Sequence, residues 1–348
     1  THSRLLYKHF TNRPFLILHS PFMIITVDEV NNKKTNYCTR QKEITKMKLK
    51  KFIAMMAVTA MVAGMATGCG GSKSDAGSDS TGSDTKTESL SGTITAAGSS
   101  ALKPLADDAA DSFLNENPDV SITIDAGGSG EGLKQVSEGT VDIGNSDVAA
   151  EDKLDADKAK ELVDHQVCVI TMAPIVNEDV AKAGVKSLTK EQLISIFTGK
   201  TTNWKEVGGP DEDIVLVTRP GSSGTRATFQ KYALDGNEEA SNASMETDDS
   251  GVLLTNVKDT KGAIGYVALS YLTGDAGVET VAIDGVEPTL ENTYSGEYPV
   301  WTFEHMYTKG EPNEVVSAFL DYITGDKYGS QMEKLGYGVS SKMTKTEH

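Results

Sequence analysis

Val217-Thr218-Arg219-Pro220-Gly221-Ser222-Ser223-Gly224-Thr225-Arg226-Ala227-Thr228-Phe229 is an apolar run that breaks at a Gly/Ser turn and resumes with helical spacing. Ile214 to Val217 predict a strand, and Thr225 to Leu234 predict a helix with Phe229, Tyr232 and Ala233 on one side. The first turn of a helix carries unpaired N–H groups and a partial positive charge, so such a turn is a ready anion site. It is also the ordinary grammar of a loop and N-cap. The chain repeats the design twice. Gly98-Ser99-Ser100 follows the run Thr93 to Ala97 and precedes a helical pattern through Ala101, Leu105, Ala109 and Phe113. Gly127-Gly128-Ser129-Gly130 follows the alternating run Val120 to Ala126 and precedes Leu133, Val136 and a turn at Gly139. Together these turns predict one anion enclosed by converging helix starts.

Strands and helices alternate along the rest of the chain, the signature of α/β layers. Val141 to Gly144 predict a short strand ending at Asn145-Ser146-Asp147, and the almost continuously apolar Val167 to Val176 a central buried one. Thr189 to Phe197 reads as a helix with a Thr189 cap and a stop at Gly199. Lys261 to Val267 and Tyr298 to Tyr307 predict further strands, Glu314 to Ile323 and Tyr328 to Leu335 further helices.

The N-terminal region has a separate purpose. After Met47, Lys48, Lys50 and Lys51 precede 15 residues from Phe52 to Ala66 that are mostly apolar, and Ala66-Thr67-Gly68-Cys69 is a small-residue cleavage site. Such a run rises about 22 Å as a helix, short of the roughly 30 Å hydrocarbon core, so an export signal over 47–68 is the reading rather than a spanning helix. Small residues before Cys69 resemble a bacterial lipobox, in which that cysteine is acylated and becomes the mature N-terminus. Ordinary cleavage near Gly68 with an incidental Cys69 is the alternative. Residues 1–46 read as an upstream extension or an over-extended start. Cys69 to Ser89 holds no large apolar residue and reads as a flexible tether with a reach of ~25 Å.

From Leu90 onward the chain is long enough for two lobes. Its one cysteine, Cys168, excludes a disulfide framework and predicts a buried thiol. Residues 1–68 hold 11 Lys+Arg and 3 Asp+Glu, leaving 22 against 47 and a net of −25. That surface argues against nucleic acid as a partner, and any anion must be held by local dipoles.

A carboxylate such as Asp147 looks misplaced beside an anion site. Being acceptor-only, it repels a fully ionised oxyanion but welcomes one that still carries a proton. Phosphate near neutral pH keeps a proton and sulfate does not. A strand-closing Asp is also a common cap or salt-bridge partner, and Arg219 is a bidentate cation for the same ligand or for Asp147.

Four segments carry a family resemblance: Gly98-Ser99-Ser100-Ala101-Leu102-Lys103-Pro104, Gly128-Ser129-Gly130-Glu131-Gly132-Leu133-Lys134, Asp142-Ile143-Gly144-Asn145-Ser146-Asp147 and Arg219-Pro220-Gly221-Ser222-Ser223-Gly224-Thr225. In order and spacing they resemble the phosphate-binding proteins of ABC transporters, from about Ser91 to Tyr337. The resemblance implies a two-lobed periplasmic-binding-protein-like (type II) fold with the ligand in the cleft, lobe 1 formed by 90–170 with 299–348 and lobe 2 by 171–298. It implies that Ser100 and the Ala101 N–H grip phosphate from the first turn and Ser129 from the second, while Asp147 accepts the phosphate proton. Arg219, Ser223, Gly224 and Thr225 close the cage from the other lobe. The implied crossings between the lobes fall in Val167 to Val176 and Tyr298 to Tyr307; Lys103 and Arg226 are taken as second-rank or solvated charges, and His305, near the second crossing, as a packed histidine. The implied partners are inorganic phosphate, a membrane permease with its ATPase, and the membrane through a diacylglyceryl-type anchor on Cys69. The implied protein is a monomer on a Gram-positive cell surface, not an enzyme, with neither cofactor nor metal.

Three other readings stay open. A secreted hydrolase would use Ser222 or Ser223, yet Gly-Ser-Ser-Gly is not Gly-x-Ser-x-Gly, and only His165, His305 and His348 follow the signal. A receptor for sulfate, molybdate or tungstate would keep the scaffold but leave Asp147 without a proton to read. An adhesion or sensing protein would use the same tethered design.

Overall fold

Ten consecutive buried residues, Val167–Val176, form the axis of the molecule, as their apolar run predicts. The structure is a computed structural model that describes residues 89–241, 245–345 and 347. The upstream stretch 1–46, the export signal 47–68, Cys69 and the tether as far as residue 88 lie outside the described residues. The strands are β1 (Ser91–Gly98), β2 (Asp119–Ala126), β3 (Ile143–Ser146), β4 (Leu162–Val176), β5 (Ser187–Leu188), β6 (Val215–Thr218), β7 (Met245–Glu246), β8 (Ala263–Ala268), β9 (Glu279–Thr280), β10 (Ala282–Ile283) and β11 (Trp301–Lys309). The helices of eight residues or more are α1 (Lys103–Glu116), α2 (Ser129–Glu138), α3 (Lys190–Phe197), α4 (Gly224–Tyr232), α5 (Ser250–Asp259), α6 (Glu314–Thr324) and α7 (Asp326–Lys334).

One sheet runs β2-β1-β3-β11-β4-β8-β6-β7, with β9 added beside β4, and β5 pairs β10 separately. The first two thirds of β4 pair antiparallel with β11, from Leu162↔Lys309 to Thr171↔Trp301, and its last five residues pair with β8. A strand shared in this way carries the chain from one lobe to the other. In the first lobe, β1 lies parallel to both β2 and β3. Helix α1 carries Pro104 in its first turn, where a missing N–H costs nothing, and buries Leu105, Ala109 and Phe113 along one stripe. In the second, β6 is parallel to β8 and β7. Helix α3 has the capping box that Thr189 and Gln192 predict, with each side chain bonded to the other's backbone.

Two strand boundaries shift from their expected places. β3 starts at Ile143 rather than Val141, because the Asp142 carboxylate turns aside to accept from the Thr95 N–H and hydroxyl, both at 2.8 Å. β11 starts at Trp301 rather than Tyr298, whose hydroxyl instead donates to the Met172 carbonyl at 2.8 Å. Cys168 is a buried free thiol, as expected.

The second lobe holds an aromatic core in which Phe229 stacks on Tyr266 at 4.2 Å and meets Phe197 edge-on at 5.1 Å. Beside it, Tyr266 donates to Glu239 at 2.7 Å, and Arg226 lies 3.5 Å from the same carboxyl. Burial outweighs these partners and pushes Glu239 up from 4.5 to about 7. A raised carboxyl favours folding only while protonated, so this contribution is complete below about pH 4.5 and disappears as the pH climbs through 7. Urea unfolding between these limits is expected to show the parent losing ~2–3 kcal/mol more stability than Glu239→Gln. Parallel pH slopes would refute it.

Candidate ligand-binding site

Three turns of the first lobe meet at the ends of β1, β2 and β3. Gly98, at φ 134°, is obligatory, since a Cβ there would stand 2.1 Å from the Asn145 carbonyl oxygen. The Ser99 hydroxyl accepts from the N–H groups of Ala101 and Leu102, at 3.1 and 3.0 Å. The Ser100 hydroxyl reaches across to Ser250, Oγ to Oγ at 3.0 Å, and accepts from the Ser250 N–H and from Arg219, each at 3.2 Å. Ser129 opens α2, and its Oγ accepts the Asp147 N–H at 3.0 Å. Asp147 Oδ2 accepts from the Thr225 hydroxyl at 2.7 Å. Its other oxygen, Oδ1, is buried without a hydrogen-bond partner among the described residues.

The second lobe supplies the opposite wall. Arg219 follows β6 and donates to Ser250 Oγ at 3.0 Å and to the Asp248 carbonyl, leaving its Nε without a partner among the described residues. Ser223 caps α4 by accepting the Arg226 N–H at 3.2 Å, so its own hydroxyl proton remains available. Phe229, locked in the aromatic core one turn down, fixes where the start of α4 points. The lobes touch directly: Gly130 N–H donates to the Ser222 carbonyl at 3.0 Å, Lys153 to the Gly221 carbonyl at 2.8 Å, and Tyr271 to the Ser100 carbonyl at 2.6 Å. Burial lowers the Lys153 pKa, opposed by the neighbouring carboxylates of Asp152 and Asp147.

Ser100, Ala101, Ser129, Asp147, Arg219, Ser223, Gly224 and Thr225 are thus brought together, and the seven other than Gly224 are at most 2 % exposed, with Gly224 buried as well. Several sequence expectations need correction. The Ala101 N–H is tied to Ser99 rather than free. Arg219 makes no ion pair with Asp147 among the described residues, because Ser100, Ser250 and the Asp248 carbonyl take its N–H groups. Of the two expectations for Arg226, the supporting charge holds and the solvated one does not: it is 17 % exposed and donates to the Arg219 carbonyl at 2.6 Å, bracing the turn. Lys103 bonds Asp107 and the Ile124 carbonyl. His305 is packed and satisfied, its Nδ1 2.8 Å from Asp164.

Ser250, Tyr271, Lys153 and Glu304 escaped the sequence reading. Ser250 starts α5 behind an Asp249 cap, a fourth helix start hidden by its acidic context, Thr247-Asp248-Asp249. Among the described residues no group of three or more His, Cys, Asp or Glu is placed to hold a metal.

Comparison with known proteins follows the same lines. Residues 81–327 match the family model of the PBP superfamily domain. The phosphate-binding protein PstS of Bacillus subtilis is 51 % identical over 281 residues, which cover 80 % of this chain and 90 % of that one. The chain belongs to the PstS family of phosphate-binding proteins. Among solved structures, a Clostridium perfringens protein described as a phosphate ABC transporter substrate-binding protein with bound phosphate superposes with a TM-score of 0.64 at 32 % identity, covering 71 % of this chain and 98 % of that one. An ABC-type phosphate transport receptor of Vibrio cholerae gives 0.56 at 25 % identity, covering 70 % and 99 %. The two-lobed fold is therefore that of the PstS family, and the four Gly/Ser and Asp segments lie within the matched region.

Proposed function

We propose that the chain is an extracytoplasmic receptor that closes on inorganic phosphate and delivers it to an ABC permease with its ATPase. The observation that carries this reading is Asp147 Oδ1, a buried acceptor without a protein partner in a site otherwise walled by donors. Arg219, Ser100, Ser129, Ser223, Thr225 and the backbone at Gly224 supply hydrogen bonds and charge to the oxyanion, and Asp147 takes the proton that distinguishes phosphate from sulfate. The Ala101 N–H joins them only if Ser99 releases it. Every group is placed to hold rather than to transform, so the reading is a binding protein and not an enzyme, acting as a monomer. Its lobes comprise 90–170 with 299–348, and 171–298. Cys69 carries the lipid, and the tether leaves the body free beside the cell membrane of a Gram-positive surface. What the B. subtilis and C. perfringens proteins are named for supports the ligand and the transport partner.

Calorimetric titration tests this. The protein is unfolded and refolded to remove carried-over anion, then titrated near pH 7 with phosphate and separately with sulfate. Tight one-to-one phosphate binding with little response to sulfate is expected. Equal binding of both would sink the role of Asp147, and binding of neither by correctly refolded protein would sink the receptor.

A further inference from the structure

Glu304 is fully buried, and among the described residues no ion pair and no fully formed hydrogen bond reaches either of its carboxyl oxygens. It lies on β11, whose antiparallel pairing with β3 joins His305 to Ser146, Met306 to Asn145 and Tyr307 to Gly144. One step further along, Glu304 arrives opposite Asp147. At this point the ladder between β11 and β4 breaks register, between Glu304 and His305. Such an irregularity re-aims a side chain, and bulges are common beside binding sites. The other faces of Glu304 are closed by Ser99 at the end of β1, Cys168 on β4 and Tyr337 near the C-terminus, whose hydroxyl donates to the Ala101 carbonyl at 2.6 Å. No cation bonds it. Arg219 is committed elsewhere, and Lys153 donates to Gly221.

We infer that Glu304 is the proton-bearing partner of Asp147: a neutral carboxylic acid on the strand between the lobes that donates toward the ligand-reading carboxylate and holds it in place. It is a positioning residue, acting on the ligand through Asp147, and this rests on the phosphate reading above. Two adjacent buried carboxyls cannot both ionise without mutual repulsion on top of desolvation, and one shared proton removes the conflict. Burial first, then the Asp147 charge, holds Glu304 well above the carboxylate range, with the Ser99 hydroxyl opposing. An acid in this place lets Asp147 keep an acceptor lone pair for the ligand while one of its others is occupied, and it adds no second negative charge beneath a dianion.

Infrared spectroscopy tests the proton itself. The full chain with phosphate at pH 7 is expected to show a protonated-carboxyl stretch, shifted in D2O, that vanishes from the spectrum of Glu304→Gln while the contribution of Glu239 remains. Absence of that difference band overturns the inference. It does not depend on which anion binds, so failure of the phosphate reading would be seen separately, in the titration. For binding, Glu304→Leu removes the donor and is expected to weaken phosphate by about tenfold or more, with Glu304→Gln, a neutral donor, recovering most of that loss. If Glu304 were ionised, the Gln variant would instead bind phosphate and sulfate both more than about tenfold tighter than the parent, which would refute it. Equal affinity of Leu and Gln variants would reduce the position to space-filling and refute it also. Should the Leu variant fail to fold, the band and the Gln titration still decide.

Discussion

Asp147→Asn is expected to raise sulfate affinity by about 10–100-fold while weakening phosphate, collapsing the discrimination between them. Oδ2 of Asp147 is taken by Thr225 at 2.7 Å, and Oδ1 is the oxygen left over, buried and unpartnered in the protein. A ligand that brings a proton satisfies the lone pair that Glu304 leaves open. Sulfate, fully ionised near neutral pH, would face the carboxylate with two sets of lone pairs and no hydrogen between them. An amide in the same place rotates its NH2 toward the ligand, and the repulsion becomes a hydrogen bond. Competition titrations of parent and variant with the two anions measure the change. Unchanged selectivity in a folded variant would remove Asp147 from its assigned role.

How far this site could be read in advance depends on how local its parts are. Ser100, Ser129, Ser223 and Thr225 were legible because each sits in a turn whose Gly, whose hydroxyl and whose following apolar period are neighbours in the sequence. Arg219 was legible for the same reason, being the last residue before such a turn. Ser250 was not, because the acids before it look like an ordinary helix cap, and only the fold brings it 3.0 Å from Ser100, 150 residues away. Glu304 was hidden more deeply. It lies in an extended run where one acid suggests a solvent-facing position, and its burial follows from the pairing of β11 with β3 and β4, which no periodicity reports. The Ala101 N–H is not free because a serine two residues earlier is itself a competent cap. Sequence tells that N–H groups are present at a helix start, whereas the rotamer of Ser99 decides which of them is already spent.

Gly224→Ala is expected to weaken phosphate binding by at least about 100-fold. A Cβ at Gly224 would lie 2.1 Å from Ser129 Oγ, 2.8 Å from Ser129 Cβ and 2.9 Å from Asp147 Cβ. The hydroxyl could swing away, but the two Cβ atoms are fixed to the backbone of the opposite lobe, so the lobes themselves must move apart. Within its own lobe the change is benign, because Gly224 is the first residue of α4 and alanine is a better helix former than glycine. The clash therefore acts on closure and not on folding. Each hydrogen bond across the cleft, Thr225 to Asp147 and Gly130 to Ser222 among them, is stretched together, and the donors from the two sides no longer converge on one anion. Thermal unfolding without phosphate should leave the variant within a few degrees of the parent, while the stabilisation that phosphate confers on the parent should be largely absent. Small-angle scattering supplies the direct readout: phosphate should leave the variant's radius of gyration at an expanded value. A variant that contracts and binds as the parent does would mean that the Gly224 contact yields without opening the cleft, and that the close approach of α4 to Ser129 and Asp147 is not what requires a glycine there.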